Sequence, residues 1–227
     1  MNWKKIKKII LRAISIGVLF FSMLSPKISK SCTRDFDINS SKNVLIYNSH
    51  YCEDYQGRPI KEGSLDLCSK LNAKGINAVY LDYDFSEMNG YNNSYYSSRG
   101  YLEGIDLNKY DLIIDYHRDY SPTRRVKTTT FNTGTANIKG VLTRDCPEYN
   151  YKEQLVGKLA EEANKVYGEG IWEETYHYNR GINFYNQDLN KNAILLEVGD
   201  NESSLWDVKA ANTIIAKAVS ETINNAK

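Results

Sequence analysis

From residue 43 to residue 223 short apolar runs alternate with longer amphipathic segments, and three of the runs end in clusters of chemistry-bearing polar residues. Asn43-Val44-Leu45-Ile46-Tyr47 is too short and too uniformly apolar for a helix; it reads as a first buried strand ending in Asn48-Ser49-His50-Tyr51-Cys52-Glu53. Ser64 is placed to cap a helix from Leu65 to Lys74, with Leu67, Cys68 and Leu71 facing inward, and Gly75 stops it. Ile76 to Leu81 is a second strand. Residues 84–104, rich in Gly, Asn, Ser and Tyr, predict a long loop holding one helical turn. A third strand, 110–115, runs into His117-Arg118-Asp119. Residues 119–136 are basic and Thr-rich and predict a loop or hairpin, and Ile138 to Leu142 is a fourth strand. From Lys152 to Tyr167, residues Leu155, Val156, Leu159, Ala160, Ala163, Val166 and Tyr167 recur at helical spacing. Residues 168–192 read as irregular. A fifth strand, 193–198, ends in Glu197-Val198-Gly199-Asp200. Ser203 or Ser204 then caps a helix over 205–223 whose inner side carries Trp206, Ala210, Ile214, Ala218 and Val219. Strands alternating with helices predict one α/β domain over 43–227, with a mostly parallel twisted sheet and helices on both faces. No internal repeat and no second domain are evident.

The first 30 residues break this pattern. Lys4, Lys5, Lys7, Lys8 and Arg12 form a basic start, Ala13 to Leu24 is uncharged and mostly apolar, and Ser25-Pro26 ends the run. That is the layout of a secretory signal or a membrane anchor, followed by a polar linker over 31–42. No small-x-small cleavage site stands out, which favours a retained anchor. The body is therefore expected outside the cytoplasm, membrane-attached or secreted. The leader holds 7 of the 29 Lys and Arg and no acidic residue, so the remainder has a net charge of −6. An acidic domain argues against nucleic acid as a partner. Cys32, Cys52, Cys68 and Cys146 show no CxxC spacing, which excludes a zinc ribbon.

In open parallel sheets, ligands gather at the carboxyl ends of the strands. His50 and Glu53, three apart after the first strand, and His117 after the third supply three donors of the types that bind zinc in hydrolases. A water activated there would be the nucleophile. Glu197, from another strand, is assigned as general base and proton carrier, and Arg118 as a holder of a substrate carboxylate or oxyanion. Asp115 or Asp119 could orient His117 through its second nitrogen. Glu62 is a rival to Glu53, and Cys52 a further ligand candidate or a bystander. His177 reads as a substrate contact or a surface residue.

These residues also carry a resemblance. Val44-Leu45-Ile46-Tyr47-Asn48-Ser49-His50 followed by Glu53 resembles the hydrophobic strand, His-Thr-His and downstream Glu of the stage II sporulation protein P family. Ile114-Asp115-Tyr116-His117-Arg118-Asp119, Tyr185-Asn186-Gln187-Asp188-Leu189 and Leu195-Leu196-Glu197-Val198-Gly199 resemble three further family motifs in the same order. The resemblance spans 43–223. It implies an amidase-like fold and a zinc N-acetylmuramoyl-L-alanine amidase acting on peptidoglycan in engulfment, with stem-peptide cross-link cleavage as a further activity. It implies zinc on His50, Glu53 or Glu62, and His117, with Glu197 catalytic and Asn186 and Gln187 as substrate contacts. It also implies a glycan-strand-cutting partner and a membrane partner. Asn48 stands where the family usually has its first His. That departure motivates the alternative of a non-catalytic wall-binding scaffold with a degraded metal site. A zinc peptidase acting on proteins is a third reading.

Overall fold

The computed structural model describes residues 42–120, 126–128 and 134–225. The proposed leader, 1–30, and nearly all of the linker lie outside these residues. Among the described residues no helix is long and apolar enough to cross a membrane.

The strands are β1 (Asn43–Tyr47), β2 (Asp54–Tyr55), β3 (Arg58–Pro59), β4 (Asn77–Leu81), β5 (Leu112–Asp119), β6 (Val126–Thr128), β7 (Gly134–Ala136), β8 (Ile138–Thr143), β9 (Tyr176–Tyr178) and β10 (Ala193–Asp200). The helices are α1 (Ile60–Ala73), α2 (Ser86–Asn89), α3 (Ser94–Leu102), α4 (Tyr149–Tyr167) and α5 (Leu205–Asn224). Six strands form one sheet in the order β4-β1-β5-β10-β8-β9, and only the β10–β8 pair is antiparallel. The chain leaves β1 toward β4 on one side, whereas β5 lies on the other. The ends of β1 and β5 thus flank a topological switch point, where α/β sheets bind ligands.

Period-two alternation sorts the strand residues onto two faces. Val44, Ile46, Leu112, Ile114, Tyr116, Ile194, Leu196 and Val198 pack under α1, α4 and α5 in the larger core. Leu45, Tyr47, Ile113 and Ala193 face the opposite way, against Phe85 just before α2, Leu102 of α3 and Leu107 of a 3-10 turn. Asp115, His117 and Glu197 continue this second register, so the alternation that fills the smaller core also points the polar groups into one face.

Several boundaries differ from the sequence reading. Helix α1 starts at Ile60 behind Pro59, because Ile60 is fully buried and Pro59 has the φ a helix start needs; Ser64 lies inside the helix and does not cap it. The polar stretch 84–104 holds α2, α3 and a 3-10 turn, since Tyr95, Ser98 and Leu102 bury one stripe that the Asn, Ser and Tyr content concealed. Strand β5 runs on to Asp119, paired with β10, so His117 and Arg118 lie in the strand and not beyond its end. A short hairpin, β6–β7, occupies part of the Thr-rich stretch. Trp206 is not inward: it is 83% exposed in the first turn of α5, where Ser204 and Asp207 form a reciprocal cap.

Helix α4 is joined to the sheet by a buried cation. Lys152 Nζ donates to the carbonyls of Asn190, Lys191 and Ala193 at 2.6, 3.0 and 3.0 Å, fixing the chain where β10 begins. Lys152→Met would leave three carbonyls without that donor. A loss on the order of 2–4 kcal/mol is expected. Thermal unfolding would read this as a midpoint lower by roughly 5–15 °C in a domain of this size.

Candidate metal centre and its cleft

His50 follows β1, Glu53 closes the turn after it with its N–H on the His50 carbonyl, and His117 projects from β5. Glu53 stands between the two rings: Oε1 lies 3.4 Å from His50 Nδ1 and Oε2 3.5 Å from His117 Nδ1. One ligand atom from each of the three residues lies within 4.8 Å of the others. Two imidazole nitrogens and a carboxylate, gathered at the switch point, are a donor set that fits zinc. Cys52 is exposed and outside this group. Glu62 points elsewhere, paired with Arg58 at 2.6 Å. His177, on the far edge, meets Tyr149 Oη through Nδ1 at 2.9 Å.

The cage is held from behind by Asp115, 1% exposed at the centre of β5. Its Oδ1 lies 2.9 Å from His117 Nε2, its two oxygens accept from Ser49 N and Ser49 Oγ at 2.9 and 2.8 Å, and Ser49 Oγ also meets His117 Nε2 at 2.9 Å. Nδ1 of His117 is thereby turned toward Glu53, as a carboxylate behind a metal-ligating histidine does. The Arg118 N–H donates to Glu53 Oε2 at 3.2 Å, and its guanidinium grips the carbonyls of Asp54 and Asp119. Asp119 itself bonds Lys139 rather than His117.

Asn48, the departure from the family pattern, faces the other side of the sheet. Its amide donates to Ser64 Oγ and to the Tyr116 carbonyl, and its Oδ1 accepts from Tyr80 Oη and Ser64 Oγ. It is fully buried and saturated, and takes no part in the cluster.

Glu197 lines the same cleft as His50, Glu53 and His117, beside Arg118. Lys139 Nζ bridges Glu197 Oε2 at 2.8 Å and Asp119 Oδ2 at 2.5 Å. Burial pushes the Glu197 carboxyl up, against the opposite pull of Lys139. Asn186 and Gln187 are buried inside the fold: Asn186 donates to Ser98 Oγ and Gln187 to the Val141 carbonyl. They belong to a segment with an unusual backbone. Asn183, Phe184, Tyr185 and Asn186 have φ of 49°, 51°, 50° and 60°, a left-handed turn made entirely of residues with side chains. Each such residue costs roughly 1–3 kcal/mol, and the conformation persists only where its surroundings enforce it. Here Asp188 clamps Arg99 with two bonds at 2.9 and 2.8 Å, immediately after the turn.

Sequence reasoning missed the roles of Ser49 and Lys139. The i, i+2 spacing of Asp115 and His117 carried a usable signal for the first. Lys139, isolated in an apolar strand, carried one for the second.

Comparison with known proteins now bears on the site. Residues 26–220 match the family described as Stage II sporulation protein P. The stage II sporulation protein P of Bacillus subtilis (strain 168) is 25% identical over 194 residues, 82% of this chain but only 45% of the relative's length. The CwlD amidase from Clostridioides difficile, solved in complex with the GerS lipoprotein, superposes with a TM-score of 0.55 at 12% identity, covering 81% of this chain and 98% of that one. The apo N-acetylmuramyl-L-alanine amidase Ami1 from Mycobacterium abscessus gives 0.54 at 10% identity, with 81% and 99% covered. The N-acetylmuramoyl-L-alanine amidase from Clostridium difficile 630 gives 0.51 at 16%, with 83% and 100% covered. At these identities the structural likeness is one of fold.

Burial alone would raise the Glu53 carboxyl, but the facing His117 and His50 rings hold it well below the usual carboxylate range in the metal-free protein. A depressed folded value means stabilisation that is present above the unfolded carboxylate value of ~4.3 and lost as the pH falls through the folded one. With chelator present, the melting temperature of the protein is expected to drop as the pH is lowered below ~4, and Glu53→Gln should shrink that drop. A Glu53→Gln protein with the same acid-limb profile would show that Glu53 is not so held.

Proposed function

The chain belongs to the stage II sporulation protein P family, and from that premise we propose that it is a zinc-dependent peptidoglycan hydrolase of sporulation, acting outside the cytoplasm. The bond proposed is the amide between the lactyl group of N-acetylmuramic acid and the L-Ala of the stem peptide, with stem-peptide cross-links as a further target. The observation that carries this reading is the His50–Glu53–His117 cage opening into a cleft shared with Glu197. Family membership and the amidase fold support it.

A zinc ion held there would polarise the scissile carbonyl and lower the pKa of a water. The chain's own groups supply the rest. Asp115 and Ser49 fix the His117 ring so that one nitrogen faces the cage. The Arg118 N–H orients Glu53. Glu197, raised by burial and bridged by Lys139, is suited to take a proton and deliver it to the leaving amine. Arg118 lines the cleft beside the cage, where a guanidinium can meet a substrate carboxylate or oxyanion. The N-terminal segment as membrane attachment, a glycan-strand-cutting partner and a membrane partner belong to the same proposal.

The scaffold alternative was motivated by Asn48. That side chain faces away from the cage, so no feature of the cluster's geometry favours it.

Digestion of purified peptidoglycan, followed by mass spectrometry with and without chelator, tests the reading. Chelator-sensitive release of intact stem peptides from uncut glycan strands is expected, with about one zinc per chain. No product and no bound zinc would overturn it. Glu197→Gln should retain zinc and lose turnover by at least ~100-fold, because it removes a proton carrier and not a ligand. His117→Ala should lose both metal and activity.

A further inference from the structure

A continuous wall of aromatic rings leads away from the cage. His50 stacks on Tyr91 at 4.1 Å and meets Tyr95 at 4.8 Å, Tyr95 meets Tyr185 at 4.9 Å, Tyr185 meets Tyr178 at 5.2 Å, and Tyr178 meets Tyr176 at 4.7 Å. Tyr178, Ile182 and Tyr185 line the same cleft as the cage. The outer members remain open: Tyr176 is 52% exposed, Tyr178 43% and Ile182 42%. Tyr176 and Tyr178 alternate with His177 on the edge strand β9, so both present to one side.

The position of Tyr185 is enforced twice. It sits within the left-handed turn, and its ring lies flush on Gly181, where an added Cβ would come within 2.4 Å of ring carbon Cε2. An unfavourable backbone with so specific a product is the kind of strain found at ligand clamps.

We propose that Tyr176, Tyr178 and Tyr185 form a saccharide-stacking subsite, which seats an uncharged ring of the glycan strand beside the cage. This rests on the peptidoglycan reading and names the part of the substrate that this side of the cleft takes. The chemistry favours sugar over peptide. Tyr176, Tyr178 and Tyr185 bring flat apolar faces and polar tips, Ile182 adds an aliphatic side chain, and none of the four is charged. The charged groups of the cleft, Arg118, Glu53, Asp119 and Glu197, gather around the cage. A pyranose offers an apolar C–H face and a rim of hydroxyls, which such rings match. A stem peptide carries carboxylates, and the cations beside this wall are already engaged, Lys139 with Asp119 and Glu197, and Arg180 with the Phe184 ring.

The test is direct binding of chitotetraose, a soluble β-1,4-linked N-acetylglucosamine oligomer, measured by titration calorimetry in chelator so that no hydrolysis intervenes. Saturable binding in the millimolar range is expected, weakened at least tenfold by Tyr178→Ala and by Tyr185→Ala and retained by Tyr178→Phe. Gly181→Ala, which crowds the Tyr185 ring and also strains a backbone at φ +65°, should weaken binding as well. Melting temperatures within a few degrees of the parent show that each variant is folded. A parent protein that does not bind the oligomer at 10-fold above the millimolar range overturns the subsite, as do ring-deleted variants that bind it unchanged. Binding of an isolated stem peptide that is lost in the same variants overturns it too, in favour of a peptide platform. Because the readout is independent of turnover, oligomer binding without any peptidoglycan product would fault the proposed reaction and leave the subsite standing.

Discussion

Asp115 is the residue on which the site depends. A carboxylate at 1% exposure in the middle of a six-stranded sheet is costly unless every lone pair is used. Here the oxygens are committed to the backbone and hydroxyl of Ser49 and to the Nε2 of His117. This one group fixes the direction in which the chain leaves β1 and the rotation of an imidazole on β5. Since Ser49 precedes His50, the same bonds set where the first histidine starts. Two strands that carry separate ligands are thus referred to a single buried charge.

The fold was legible because hydrophobic pattern and core burial agree over most of the chain. β1 matches its sequence reading residue for residue, and β10 and α5 match within a residue or two, because each is built around an uninterrupted apolar pattern. What the pattern concealed was burial by polar residues. Helix α3 packs through Tyr95 and Ser98, and a Ser-, Asn- and Tyr-rich stretch has no apolar stripe to read. The extension of β5 through His117 and Arg118 failed to show for a related reason. A strand end made of charged and polar residues looks like a loop in composition, and only its pairing with β10 reveals it. Trp206 is the opposite case, an apolar residue that lies outside because it shares the solvent face of α5 with Thr213 and Lys217, while Asp207, Val208 and Ala211 carry the packed stripe.

That His50, Glu53 and His117 come together could be read from sequence because residues of these types are few and their strand ends converge. Choosing Glu53 over Glu62 could not. Both follow β1 within fifteen residues, and the distinction comes from a turn in which the Glu53 N–H bonds the His50 carbonyl, while Glu62 is taken up by Arg58 four residues before it. The side that Asn48 takes follows from alternation: it continues the Val44–Ile46 register toward α1, where Ser64 and Tyr80 meet its carboxamide, and the turn after β1 is what brings His50 round to the cleft.

The loop bearing Glu53 is also sewn to the end of β10. Tyr55 Oη donates to the Val198 carbonyl, and the Gln56 N–H donates to the Asn201 carbonyl. Its backbone, and the rings it faces, are therefore positioned by contacts within the chain. In small zinc modules the ion itself is the core that gathers its ligands. Here the donors of the proposed centre are gathered by hydrogen bonds of the sheet and its loops, so their spacing is a property of the fold.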